Sequence, residues 1–170
     1  MKTIKVILII ISILVVAFLA TGLLVHQTTY SAKVSIDKPL NEVFSNFMKI
    51  DSMKNWIPEI KSVKVVHKKP GIIGSVYDVV VLNQGQEIVM TEKIIAYVLN
   101  KKLTLFYDAE NMLKKDDYLF SEEKGITTIT LNAYCQSESF IMACMFPYFK
   151  GTFQDQDQSY LNNFKAFLEK

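Results

Sequence analysis

The chain has 170 residues, half of them hydrophobic, with 19 basic against 17 acidic side chains and a formal net charge of +2. It contains no arginine. Nucleic-acid and phosphate sites rely on arginine's bidentate fork and on a basic surplus, so a nucleic-acid partner is excluded here.

The first element is apolar. Lys2 and Lys5 precede an uncharged run from Val6 to Val25, interrupted only by Ser12, Thr21 and Gly22. At about 1.5 Å per residue such a run reaches roughly 30 Å, the thickness of a bilayer's hydrocarbon core, and a helix pairs all its backbone groups there. A cleaved signal peptide is the rival reading. Its apolar region is about 7–15 residues long and ends at a small-x-small site. Here Ala20-Thr21-Gly22 is the best such site, yet Leu23-Leu24-Val25 continues the apolar run beyond it, so length favours an uncleaved anchor. Lys2 and Lys5 set the orientation: the N-terminus is cytoplasmic and residues 31–170 lie outside the cytoplasm. Both lysines of the net excess belong to this segment, which leaves the rest of the chain neutral. Residues 1–30 therefore read as a transmembrane anchor with a short linker, and 31–170 as one domain. About five linker residues give a tether on the order of 15–18 Å, which holds the domain at the membrane surface.

Within the domain, Ala32, Val34 and Ile36 alternate with Lys33, Ser35 and Asp37, the pattern of a half-buried strand. Asp37-Lys38-Pro39 then suits a helix start. Leu40, Val43, Phe44 and Phe47 follow on one helical face. A short helical or turn segment from Asp51 to Trp56 is stopped by Pro58. Strands are predicted around Val63–Val65, Ser75–Leu82, Gln86–Tyr97, Leu103–Asp108, Met112–Ser121 and Thr127–Tyr134. Lys69-Pro70-Gly71, Asn83-Gln84-Gly85, Asn100-Lys101-Lys102 and Glu122–Gly125 mark the turns. The cluster Lys61, Lys64, His67, Lys68 and Lys69 reads as a solvated strand and turn, with anionic headgroups as the functional alternative. Phe149, Phe153, Tyr160, Leu161, Phe164, Phe167 and Leu168 share one face of a long terminal helix, with Gln154, Asp155, Asp157 and Gln158 on its wet side. The layout is α+β, with helices covering one face of a curved antiparallel sheet.

Several strings, in this order and spacing, resemble the START-like (SRPBCC) superfamily, which includes polyketide cyclase/dehydrase and lipid-transport proteins. They are Val34–Phe44, Trp56–Val63, Pro70–Ser75, Gly125–Thr128 and Leu161–Glu169, and the resemblance spans essentially all of residues 31–170. It implies a helix-grip (START/Bet v 1-like) fold, a curved antiparallel sheet packed on the long C-terminal helix. It also implies a hydrophobic cavity for lipids, quinones, polyketides or similar ligands. The superfamily has no universal catalytic set to carry over.

The residues are compatible with such a cavity. Tyr77, Tyr97, Tyr107, Tyr118 and Tyr134 sit on predicted strands, and a buried tyrosine offers a ring plus a hydroxyl that needs a partner. The plain alternative places their hydroxyls in water, because alternation defines relative faces but not which face is inside. Phe140–Phe146 is a run of seven apolar residues before Pro147, readable as a cavity rim or gate touching lipid, or as a buried segment under the core. The candidate ligand contacts are Trp56, Tyr77, Tyr97, Tyr107, Tyr118, Met142, Met145, Phe149 and Phe153.

No nucleophile elbow, phosphate-cradling glycine loop or zinc-protease motif occurs, and no catalytic residue is assigned. His67, Cys135 and Cys144 lack ligand-pair spacing, so no metal or other cofactor is expected. Cys135 and Cys144 read as buried free thiols, with a disulfide as the alternative in an oxidising compartment. Asp78, Glu87, Glu92 and Asp108 lie on or beside strands. Any of them facing an apolar cavity would have a raised pKa and could move protons, although outward solvation is the usual case. The sequence thus leaves a membrane-anchored module binding a lipid or other hydrophobic small molecule, with a cyclase/dehydrase-like enzyme and a structural domain with a filled cavity as alternatives.

Overall fold

The structure is a computed structural model that describes residues 2–83 and 85–170. Helix α1 (Lys2–Leu24) carries the apolar run. It is followed by strand β1 (Thr28–Ile36), helix α2 (Leu40–Phe47) and a 3-10 turn (Ile50–Asn55). Six strands come next: β2 (Ile60–His67), β3 (Val76–Asn83), β4 (Gln86–Val98), β5 (Lys102–Ala109), β6 (Met112–Glu123) and β7 (Ile126–Gln136). Helix α3 (Phe140–Met145), a 3-10 turn (Phe146–Phe149) and helix α4 (Lys150–Leu168) complete the described chain. Gln84, the middle residue of the predicted Asn83–Gly85 turn, lies outside the described residues; the strands on either side of it pair as a hairpin, Asn83 opposite Gln86.

The strands form one antiparallel sheet in the order β1-β7-β6-β5-β4-β3-β2. From β3 to β7 consecutive strands pair through short turns, β2 and β3 pair across the longer 68–75 loop, and β1 and β2 are separated by α2 and its 3-10 turn and end on opposite edges. α4 lies along β1 and completes the grip. Both edges are managed, but differently. On β1, Gln158 accepts from the Lys33 N–H (3.0 Å) and donates to the Lys33 carbonyl (2.9 Å), and Gln154 donates to the Ser31 carbonyl (3.0 Å). These side-chain amides occupy backbone groups that another strand would otherwise pair with. On β2 the exposed Lys61 and Lys64 discourage further pairing.

The alternation read from the sequence is the burial pattern found. Every second residue of β1 from Thr28 to Ile36 is buried, as is every second residue of β7 from Thr127 to Cys135. One aromatic cluster ties the helices to the sheet. Phe47 of α2 packs against Trp56, Phe120 of β6 and Phe164 of α4, with ring centroids 5.4, 5.4 and 5.2 Å away. Phe164 is fully buried and meets Trp56 edge-on. A buried phenylalanine of this kind contributes about 2–3 kcal/mol through area removed from water.

α1 also touches the domain. Thr21 Oγ1 donates to the Cys144 carbonyl at 3.1 Å, and the Phe18 ring stacks on Tyr148. Gly22 is what permits this approach: a Cβ there would stand 2.4 Å from Cys144 Sγ. The run Phe140–Phe146 is therefore the surface on which the last turns of the apolar helix rest. Cys135 and Cys144 are both buried free thiols.

Candidate functional site

Between the sheet and α2 lies a pocket of about 540 Å³, within the range of small-molecule sites. The sheet supplies Tyr77, Glu92, Ile94, Tyr97, Leu103, Leu105, Tyr107 and Tyr118. Phe44, Phe47 and Met48 come from α2 and its C-terminal end, Met53 and Trp56 from the segment after it. Lys68, Lys69 and Ile72, before β3, also line it. Ile72 sits at φ 67°, a left-handed backbone that a β-branched residue adopts at a cost of about 1–2 kcal/mol. The loop holds that strain at the pocket wall.

One irregularity decides a pocket residue. In β4, Glu92 and Ile94 face inward, so strict alternation would turn Tyr97 outward. A bulge between Ile94 and Ala96 inserts Ile95 as an extra residue. Ala96 then pairs with Thr104, and Tyr97 pairs with the inward Leu103 and lines the pocket. Bulges re-aim side chains in this way.

The inner face is not uniformly apolar. A cross-strand row reads Tyr77, Glu92, Tyr107, Lys114, Cys135 and Thr28 from β3 to β1. At its β6 end is a buried charge cluster. Lys114 Nζ reaches Asp116 Oδ2 at 2.9 Å and both oxygens of Asp157 at 3.0 and 2.8 Å. The Tyr30 hydroxyl donates to Asp157 Oδ2 at 2.7 Å. Asp157 is thus buried, not on the wet side of α4 as its helical position suggests: the long Lys114 side chain crosses from the sheet to meet it. Asp155, by contrast, is exposed.

Burial and mutual charge set the protonation of this interior. Burial raises the Asp116 carboxyl to about 6, opposed by Lys114 and reinforced by Asp157. Burial would lower the Lys114 ammonium, but the two aspartates outweigh it and hold the group charged. Burial, then Asp157, pushes the Tyr30 hydroxyl well above its ordinary range. Burial raises the Cys135 thiol to about 11, so it is an inert thiol at neutral pH. Tyr107 and Tyr118 are also raised, first by burial and then by Glu92 and Asp116 respectively.

Glu92 stands apart. It is buried, lines the pocket, and lies between Tyr77 and Tyr107 in the cross-strand row. Burial raises its carboxyl to about 7; Tyr107 opposes the rise and Asp116 adds to it. A carboxyl poised near neutrality in a pocket can accept a hydrogen bond, give one, or transfer a proton. The other strand carboxylates lie elsewhere: Glu87 pairs with Lys61 in solvent, Asp108 is exposed and Asp78 is half-buried.

The structure brings Trp56, Tyr77, Tyr97, Tyr107 and Tyr118 together around one pocket. Met142, Met145, Phe149 and Phe153 lie outside its lining. Met142 and Phe153 pack against the core, Phe153 beside Tyr30 and Phe146, while Phe149 is exposed near the base of α4. Tyr134 faces outward, its ring under the Lys115 ammonium at 4.0 Å. No sequence motif singles out Lys114, Asp116 or Tyr30. The available signal is the alternation Lys114, Asp116, Tyr118, which places two charges on the same face as a buried tyrosine. Among the described residues no cluster of histidine, cysteine and carboxylates is arranged to hold a metal ion.

No family model matches the sequence, and no curated protein matches it. Solved structures do match in three dimensions. The START superfamily protein from Mycobacterium smegmatis superposes with a TM-score of 0.68 at 14% identity, covering 82% of this chain and 98% of its own. Ara h 8.0201 gives 0.67 at 13%, covering 85% and 99%. The di-domain ARO/CYC StfQ from the steffimycin biosynthetic pathway gives 0.68 at 10%, covering 84% of this chain and 51% of its own.

Proposed function

We propose that this chain, START/Bet v 1-like in fold, is a membrane-anchored domain that binds a lipid or other hydrophobic small molecule in the pocket beneath α2. The fold is the helix grip, a seven-stranded antiparallel sheet closed by a long C-terminal helix. The carrying observation is the 540 Å³ pocket itself, walled mainly by aromatic and aliphatic side chains around a few polar groups. α1 spans the membrane with its N-terminus in the cytoplasm and the ligand-binding domain lies outside; that domain begins at Thr28, three residues before the boundary expected at Ser31, because Thr28–Tyr30 already pair with β7, and only Val25–Gln27 are left as linker. The 23-residue α1, with a mean hydropathy of 3.0 over its most apolar stretch, supports the span. Its packing on α3 supports a domain seated at the bilayer, with the uncharged 139–149 segment beside the anchor's last turns.

A second reading has its own observation. Glu92, raised to about 7 inside the pocket, has the properties of a general acid or base, which favours a cyclase- or dehydrase-like reaction on the bound compound.

The test uses the full chain purified in a mild detergent. Solvent extraction and mass spectrometry should reveal a hydrophobic compound in the wild type that is missing from a pocket-filling Leu105→Trp variant. Equal extracts from both would overturn the binding reading. Conversion of the compound by wild type but not by Glu92→Gln would establish the enzymatic one. The mass of the mature chain decides the anchor: loss of residues 1–22 means a cleaved signal peptide. Labelling of a Gly151→Cys variant by an impermeant thiol reagent on intact cells checks the orientation.

A further inference from the structure

Two pocket-lining residues each carry a buried polar side-chain atom with no hydrogen-bond partner among the described residues: the acceptor Glu92 Oε2 and the donor Trp56 Nε1. Each side chain belongs to a residue only 4% exposed, and both residues line the pocket. Leaving such groups unpaired costs about 1–3 kcal/mol each, so native interiors rarely retain them without a use. The nearby cation does not serve Glu92. Lys114 is committed to Asp116 and Asp157, with contacts of 2.8–3.0 Å. Glu92 instead sits between two tyrosines in the cross-strand row, and Tyr107, whose hydroxyl hydrogen bond opposes the rise of the carboxyl, leaves Oε2 without a partner.

We propose that Glu92 and Trp56 are the polar groups by which this pocket selects a neutral amphiphile bearing hydroxyl groups, a hydroxyl hydrogen meeting Glu92 Oε2 and a hydroxyl oxygen meeting Trp56 Nε1. The proposal rests on the pocket being a ligand site and adds the chemical class of the ligand. Charge and donor inventory exclude the neighbouring classes. A fatty-acid anion would place a carboxylate against Glu92, with Asp116 and Asp157 in the same interior. An alkylammonium has donors for Glu92 but no acceptor for the indole N–H. An ether or alkane has no donor and leaves Glu92 Oε2 unpaired. A hydroxyl is both donor and acceptor, and it carries no charge into the apolar space.

Trp56 is the chain's single tryptophan, so its emission reports on the subsite directly. The full chain in nanodiscs is titrated at pH 8 with dodecanol, dodecyl methyl ether and dodecanoate, each corrected for partition into empty nanodiscs. Dodecanol should bind about tenfold more tightly than the ether, the effect of a hydrogen bond to a charged acceptor, and dodecanoate most weakly. In Glu92→Met the alcohol's advantage should fall below twofold while the ether still binds. In Glu92→Gln, which preserves shape and an acceptor, the alcohol should keep its advantage and dodecanoate should gain affinity. Equal binding of alcohol and ether by the wild type, or an advantage that survives in Glu92→Met, overturns the subsite and leaves the pocket reading intact. No response of Trp56 to any of the three probes overturns the pocket reading and the subsite with it.

Discussion

Replacing Glu92 with glutamine should stabilise the protein above neutral pH, and the size of the gain follows from its burial. The carboxyl is raised from 4.5 to about 7, chiefly by burial. Because the folded state holds the proton more tightly than the unfolded chain, stability is highest below about 4.5. It is lost as pH rises through about 7, and above that the loss is complete. At 1.36 kcal/mol per pH unit the full loss is about 3 kcal/mol, an upper bound because the pocket admits water. Glutamine has the same shape and no charge to bury, so Glu92→Gln should be more stable than wild type by up to about 3 kcal/mol at pH 8 and indistinguishable at pH 4. For a domain of this size that corresponds to a rise in Tm of up to about 10 °C at pH 8. Thermal unfolding of the full chain, followed by Trp56 emission from pH 4 to 9, reads both the gain and its pH dependence. Asp116, raised to about 6, adds a parallel loss that the substitution leaves in place, so the variant's profile should flatten without becoming level. The same Tm for both proteins at pH 8, or a gain that does not change with pH, would refute the assignment of a buried, chargeable Glu92.

Lys114→Met removes the cation between Asp116 and Asp157 and should cost about 3–5 kcal/mol at pH 8, with part of the loss recovered near pH 5 as the Asp116 carboxyl protonates; denaturant unfolding at the two pH values checks this. Gly22→Leu places a side chain where a Cβ already meets Cys144 Sγ at 2.4 Å, so α1 should separate from α3. Cys144 should then react rapidly with a maleimide while Cys135 stays protected, and an unchanged Cys144 rate would show that the two helices do not depend on this contact. Phe164→Ala opens a cavity between Trp56 and Phe47 and should cost about 3–5 kcal/mol in urea unfolding, with a red shift of the native Trp56 emission.

Much of this architecture is local and therefore legible in the residues. The alternation of Ala32, Val34 and Ile36, the helical face of Val43, Phe44 and Phe47, and the turn residues between strands all correspond to elements in the structure, with strand ends displaced by a few residues. Tyr77, Tyr107 and Tyr118 share a face because side chains alternate, but only the helices packed on one side make that face the interior. Tyr97 joins them through the bulge at Ile95, an extra residue that no alternation rule anticipates. The string Lys114-Lys115-Asp116-Asp117 looks like a solvated charge run. Half of it is interior, because β6 turns Lys114 and Asp116 inward and α4 presents Asp157 across from them.

By itself the sequence determined the apolar first helix, the neutral charge of residues 31–170 and the strand and helix periods, since each depends on composition or on residues near one another in the chain. The tertiary structure alone decided that Glu92 and Trp56 share a pocket, that Lys114 is enclosed by two aspartates, and that Phe140–Phe146 receives the end of α1. Those facts depend on which face is buried and on partners tens of residues away, and a period in the sequence carries neither.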